Sequence, residues 1–378
     1  MNSPVVDING FCSAKFDRIQ EAFVENFREH EELGADFTLI VGGEVVVDMW
    51  AGYRDAARQH PWERNTITNV WSATKGVMAA CFAILVDRGL ISYDDEVRKY
   101  WPEFGEAGKS NVTIGMLLAH QAGLSGFTTP ATIDDLLSGE VAAQRLADQA
   151  PFWEPGTTAG YHGMTLGILA TALFSRIEGR SIKQFVAEEL AAGFGLDISI
   201  GVGPKDEDRV AEMLPVASLD ALKLDPENRA QYAAFTNPYT PASLSNDAAW
   251  RAADLPSANG YTNGGALARL YDLLLRPRKD GKVLVRRAAV EQAARCRFDG
   301  KDLVKDSHTR WGAGFWLNPG RLYGPNLEAF GHSGWGGSFA FADPVADLAV
   351  GYTMNRMSDK FDLDPRRRSL IDAIYACL

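Results

Sequence analysis

Ten consecutive apolar residues, 77–86, follow directly on Ser72-Ala73-Thr74-Lys75-Gly76, and Gly89 comes three places later. A run with almost no polar face is a helix buried in a core, not one lying on a surface. Ser72 is an accepted residue at a helix start and Gly89 an accepted stop, so a helix is expected from near Ser72 to Gly89. Whatever fold the chain adopts must wrap around that helix, with a hydroxyl and an amine at its mouth.

The spacing of the two groups is chemically suggestive. Residues i and i+3 share a helix face, with Cβ atoms roughly 5–6 Å apart. A serine hydroxyl is a weak nucleophile and needs a base beside it. A lysine ammonium is no base, but burial and the positive end of the helix dipole both favour the neutral amine. Ser-x-x-Lys alone recurs in many chains as a helix cap with a solvated lysine. Here the apolar helix behind it argues for catalysis.

Length and charge narrow the field. The chain has 378 residues, enough for a large core. Its net charge of −11 argues against nucleic acid or an anionic membrane surface as partner. No run of about 18 apolar residues exists to span a bilayer, and the first residues, Met1-Asn2-Ser3-Pro4, lack the pattern of a signal peptide. Cys12, Cys81, Cys296 and Cys377 are scattered, without a C-x-x-C, and read as reduced thiols of a cytoplasmic protein. There is no H-E-x-x-H, no G-x-G-x-x-G and no P-loop, so neither metal nor cofactor is expected. The absence of G-x-S-x-G disfavours an α/β-hydrolase elbow.

Periodicity supplies the frame. A helical stripe runs over 16–32, and two β-rich runs flank Gly42-Gly43 as a hairpin over 36–50. Helices are expected at 113–122 with Thr113 as cap and Gly123 as stop, and at 165–177, 182–190, 264–275, 287–294 and 369–378. Strands are expected at 312–317 and 329–334, and a hairpin at 338–342 and 348–354 around Asp343-Pro344. Residues 214–255 show no sustained period and read as a long surface excursion facing substrate. The expected class is α/β (α+β), one antiparallel sheet built from both chain ends with helices on its faces and a helical insertion. The expected division is an α/β domain from 1–105 and 256–378, and a mainly helical domain over 106–255.

Taken in order, four stretches resemble the serine β-lactamase and penicillin-binding-protein superfamily, and specifically the family VIII carboxylesterases. They are Ser72-Ala73-Thr74-Lys75, similar to S-x-x-K; 117–124, similar to L-L-x-H-x-x-G-L; Pro155-Gly156 through Tyr161, similar to P-G-x-x-x-x-Y; and Gly331-His332-Ser333-Gly334-Trp335-Gly336-Gly337, where the family carries K-T-G or H-x-G. The resemblance covers about 37–354 and implies a β-lactamase-like fold. It also implies roles: Ser72 as nucleophile, Lys75 and Tyr161 sharing proton transfers, backbone N–H groups of Ser72 and Trp335 as oxyanion hole, and His332, Ser333, Gly334 and Trp335 lining the substrate site.

Two departures from the β-lactamase pattern set the expected substrate. Tyr161-His162-Gly163 stands where those enzymes have Y-x-N, and His332-Ser333-Gly334 replaces K-T-G. A histidine, mostly neutral near pH 7, is a poorer partner for a substrate carboxylate than lysine. A short, uncharged ester is therefore the expected small-molecule substrate. A β-lactamase, D-aminopeptidase or amidase of the same superfamily, or a non-catalytic binding member, are the other readings. His120 reads as a structural hydrogen-bonder, His162 as ambiguous, and Tyr53, Phe127, Trp153, Tyr239 and Trp250 as core or surface residues with a smaller claim on the pocket wall.

Overall fold

The computed structural model describes residues 6–216, 224–360 and 363–378. Its centre is a sheet of nine strands, all pairs antiparallel. In chain order the strands are β1 (Ile8–Cys12), β2 (Gly34–Val41), β3 (Glu44–Gly52), β4 (Thr68–Asn69), β5 (Ile198–Ile200), β6 (Gly260–Thr262), β7 (Phe298–Lys301), β8 (His308–Trp311), β9 (Trp316–Leu317), β10 (Phe330–Ser333), β11 (Phe339–Asp343) and β12 (Leu348–Met354). The large sheet runs β1-β3-β2-β12-β11-β10-β9-β8-β7, so the two chain ends meet where β2 pairs β12. β4, β6 and β5 form a small second sheet. The β2–β3 turn is Gly42-Gly43, both at positive φ (58° and 82°), as a tight two-residue hairpin requires.

Period-two alternation decides what each face of the sheet carries. Along β12, Leu348, Val350, Tyr352 and Met354 enter one core with Ile19, Phe23, Leu370 and Ile374, from helices Asp17–Glu29 and Pro365–Cys377. The opposite positions are small. A Cβ on Gly351 would lie 2.1 Å from the Gly264 carbonyl, so helix Gly264–Leu275 rests almost on the strand backbone. Helix Thr74–Asp87 lies on this second side, buried from Thr74 to Leu85 as its all-round apolar sequence demands.

Most expected elements are present, and the differences have physical causes. Thr113 caps its helix by accepting from Met116 N, but that helix is only Ile114–Leu118 and ends well before Gly123. The stretch 182–190 starts as an α-helix and continues as a π-helix over Val186–Ala192. Only Trp316–Leu317 of 312–317 is strand, because Gly312 and Gly314 turn the chain back. β1, β7 and β8 are additions to the expected sheet: short outer strands, β1 and β7 partly exposed and without an alternating apolar face. β4, β5 and β6 are further additions, of two or three residues each and too short to show a period. The excursion at 214–255 is not all surface. It holds helices Arg229–Thr236 and Ala248–Ala252, and Trp250 is fully buried; its segment 217–223 lies outside the described residues.

Candidate active site

The helix behind Lys75 begins at Thr74, two residues later than expected, and Ser72 does not cap it. Ser72 sits inside a preceding 3-10 turn, Trp71–Ala73, with Trp71 at a positive φ of 46°. Left-handed backbone on a bulky residue is costly and persists only where the surroundings fix it. Thr74 does part of that fixing. Its hydroxyl donates to the Trp71 carbonyl at 2.5 Å and accepts from Gly260 N at 2.9 Å, tying the turn to β6. Trp250 does more: its ring lies 5.2 Å from that of Trp71, and its indole N–H donates to Asn69 Oδ1. The result is a serine whose hydroxyl is not used as a cap and points to other side chains.

Two groups meet that hydroxyl. Ser72 Oγ lies 3.1 Å from Lys75 Nζ and 2.7 Å from the Tyr161 hydroxyl. Lys75 is fully buried, and its Nζ also lies 2.7 Å from the carbonyl oxygens of Gly163 and Ser257. Desolvation first, and the nearby Lys305 ammonium second, push the Lys75 amine well below the ordinary lysine range. A neutral amine has two hydrogens. With both given to the two carbonyls, its lone pair is directed at Ser72 Oγ, where a general base belongs.

Tyr161 is held from several sides. Its ring stacks on Trp311 at 5.7 Å and 13°, with His120 4.9 Å away. Its backbone N–H donates to Asp302 Oδ1 at 3.0 Å. The next residue donates its N–H to His120 Nδ1, and the His162 ring accepts from Leu124 N and meets the Gly160 carbonyl. Both histidines therefore hold the loop together, and burial holds both well toward the neutral form.

Facing Ser72 is the segment after β10. A Cβ on Gly334 would come within 2.1 Å of the Val70 carbonyl and 3.4 Å of Ala73 N, so only glycine allows this segment to press against the serine turn. Trp335 follows directly. Its N–H takes no backbone acceptor among the described residues, and its ring lies 5.0 Å from Trp71. Arg366 clamps the far side of the same loop, donating to the Gly336 carbonyl at 2.7 Å.

These groups open into one cavity of about 700 Å³, whose wall includes Ser72, Tyr161, Ser333, Gly334 and Trp335. His332 does not line it. Its ring is buried beside Trp311 and Trp316, with Nδ1 against the carbonyl of Ser333, so its expected place in the wall is corrected to one behind Tyr161. Ser333 reaches the wall because strand neighbours point to opposite faces. Tyr53, Phe127, Trp153, Tyr239 and Trp250, the aromatics with a smaller claim on the pocket wall, are absent from it. Trp71, Met164, Phe235, Lys305, Trp316 and Arg367 are there instead. Phe235 comes from the excursion expected to face substrate. The others come from separate segments, and no local pattern marks them.

The beta-lactamase family model matches residues 16–373. An esterase/beta-lactamase, LipL, of Mycobacterium tuberculosis is 33% identical over 360 residues, which is 92% of this chain and 83% of LipL. A crystal structure of a family VIII carboxylesterase superposes with a TM-score of 0.92 at 42% identity, covering 98% of this chain and all (100%) of that one. A penicillin-binding-protein homologue from Caulobacter crescentus gives 0.91 at 40% identity, with the same coverage of 98% and 100%. Among the described residues, no helix is long and apolar enough to cross a membrane.

Proposed function

We propose that this chain, which belongs to the beta-lactamase family, is a serine hydrolase cleaving short-chain, uncharged carboxylic esters through an acyl-enzyme on Ser72. The observation that carries the reading is a hydroxyl 3.1 Å from a fully buried amine and 2.7 Å from a phenol, at the wall of a large cavity. In the first half-reaction Ser72 Oγ attacks the ester carbonyl as its proton passes to Lys75 Nζ. The carbonyl oxygen becomes an oxyanion, held by the N–H groups of Ser72 and Trp335. Collapse expels the alkoxide, which takes a proton through the Tyr161 hydroxyl and leaves as alcohol. Water then attacks the acyl-Ser72 ester, its proton moves to the same amine–phenol pair, and the carboxylic acid departs with Ser72 restored.

Ester is favoured over β-lactam by the strand position where a lysine would stand. His332 is there, buried and held toward its neutral form by desolvation. A neutral ring behind Tyr161 offers no charge to a substrate carboxylate. Trp71, Met164, Phe235, Trp316 and Trp335 give the cavity a broad apolar surface suited to an acyl or alkyl group, and its cations, Lys305, Lys360 and Arg367, come from segments other than the β10 position where a lysine would stand. The four unpaired cysteines support a reducing, cytoplasmic setting. The test is turnover of p-nitrophenyl esters of increasing chain length beside nitrocefin. The expected result is fast hydrolysis of short esters, slow nitrocefin, and loss of both in Ser72→Ala. Fast nitrocefin with weak ester turnover would transfer the protein to the β-lactamase reading.

A further inference from the structure

Asp302 joins the backbone of Tyr161 to the ring on which its phenol is stacked. Its side chain is fully buried in the connection between β7 and β8. Oδ1 accepts three backbone N–H groups: Tyr161 at 3.0 Å, Val304 at 2.9 Å and Lys305 at 2.9 Å. Oδ2 accepts the Trp311 indole N–H at 3.2 Å. Trp311 is the ring on which the Tyr161 phenol is stacked. The Leu303 N–H meanwhile donates to the Ala159 carbonyl, stitching the same connection to the chain just before Tyr161. A buried carboxylate is expensive unless its lone pairs are satisfied, and these four donors satisfy it. An aspartate used only to close the hairpin would need Val304 and Lys305 alone. The other two bonds go to the backbone of Tyr161 and to the ring beneath it.

We infer that Asp302 is a positioning residue: it fixes Tyr161 from its backbone and from the face of its ring, holding the phenol 2.7 Å from Ser72 Oγ. The inference rests on the reading that Tyr161 takes part in proton transfer at Ser72. The geometry is sensitive, since a misplacement of about 1 Å in a catalytic group can cost about a hundredfold in rate. Asp302→Asn probes it with little change of shape. The amide oxygen can serve the three backbone donors, but the amide N–H then faces the Trp311 N–H, donor against donor. Trp311 is pushed, and the phenol loses its fixed rest.

The experiment is a double-mutant cycle on p-nitrophenyl acetate turnover, with active sites counted by phosphonate titration so that unfolded protein does not enter kcat. Asp302→Asn is expected to lower kcat by roughly ten- to a hundredfold with KM little changed. In a Tyr161→Phe background the same substitution is expected to cost less than about twofold, because the group it positions is already gone. Trp311→Phe, which removes the indole N–H but leaves the carboxylate its backbone donors, is run through the same cycle in case the asparagine variant folds poorly. An equal loss in both backgrounds, or no loss in the parent, overturns the inference while leaving the role of Tyr161 standing. Wild-type kcat in Tyr161→Phe itself removes the reading on which the inference rests.

Discussion

Replacing Lys75 by methionine is expected to leave a folded protein whose ester turnover has fallen by about 10³–10⁴, the upper range for loss of a general base acting on a nucleophile. Methionine keeps an unbranched apolar stem, one atom shorter than the lysine side chain, and so keeps most of the packing under the serine turn. What it lacks is a basic nitrogen lone pair 3.1 Å from Ser72 Oγ. The pH dependence follows from the same burial. Protonating Lys75 removes the base, so activity is lost as pH falls, with the limb well below the ordinary lysine range because desolvation and Lys305 disfavour the ammonium. Stability carries the opposite face of this linkage. The unfolded lysine binds a proton that the folded one refuses, so this group makes folding more favourable as pH rises toward the ordinary lysine range. Lys75→Met removes that slope. Kinetics with p-nitrophenyl acetate, and urea unfolding at two pH values, check both parts. A variant retaining more than about a tenth of the parental kcat would give the base role to another group.

The second large effect concerns stability and lies behind the loop that follows β10. Arg366 is nearly fully buried between Glu32, at 3.0 Å, and Asp364, at 2.8 Å, whose side chains are 0% and 2% exposed. It also donates to the carbonyls of Gly336 and Arg356, and Tyr352 donates to Glu32. Arg366→Met leaves two buried carboxylates without their cation. Breaking a buried pair this way costs about 3–5 kcal/mol, far more than the pair contributes beyond an apolar replacement. Urea unfolding should show that loss, and adding Glu32→Gln should recover part of it. Because the guanidinium also anchors Gly336, the surviving folded protein should have reduced kcat. Unchanged stability in Arg366→Met would mean that the carboxylates find water or other partners.

The sequence showed the site unevenly, for reasons visible in the geometry. Ser72 and Lys75 are three residues apart in a strongly patterned segment, so their meeting was legible from spacing together with the apolar run behind them. Tyr161 is 89 residues from Ser72 and could be found only through motif order. His332 sits in the same motif as Ser333, yet alternation along β10 turns its ring inward. Nothing in a four-residue strand, buried on both faces, reveals which neighbour reaches the cavity. Trp71 adopts left-handed backbone with no glycine to announce it, which is why Ser72 looked like a helix cap. Asp302 and Lys305 were out of reach because β7 and β8 carry no clean apolar alternation. The hairpin that presents both residues therefore went unseen. The sheet itself was legible from its inner strands, whose runs are long and apolar, and not from its exposed outer ones.

Covalent labelling with a fluorophosphonate, read by intact mass and peptide mapping, tests the proposed nucleophile most directly. One adduct per chain, mapped to Ser72, absent in Ser72→Ala and slowed sharply in Lys75→Met, is the result expected from an activated serine in this geometry. An adduct on another residue, or labelling and ester turnover that persist in Ser72→Ala, would contradict the acyl-enzyme assignment.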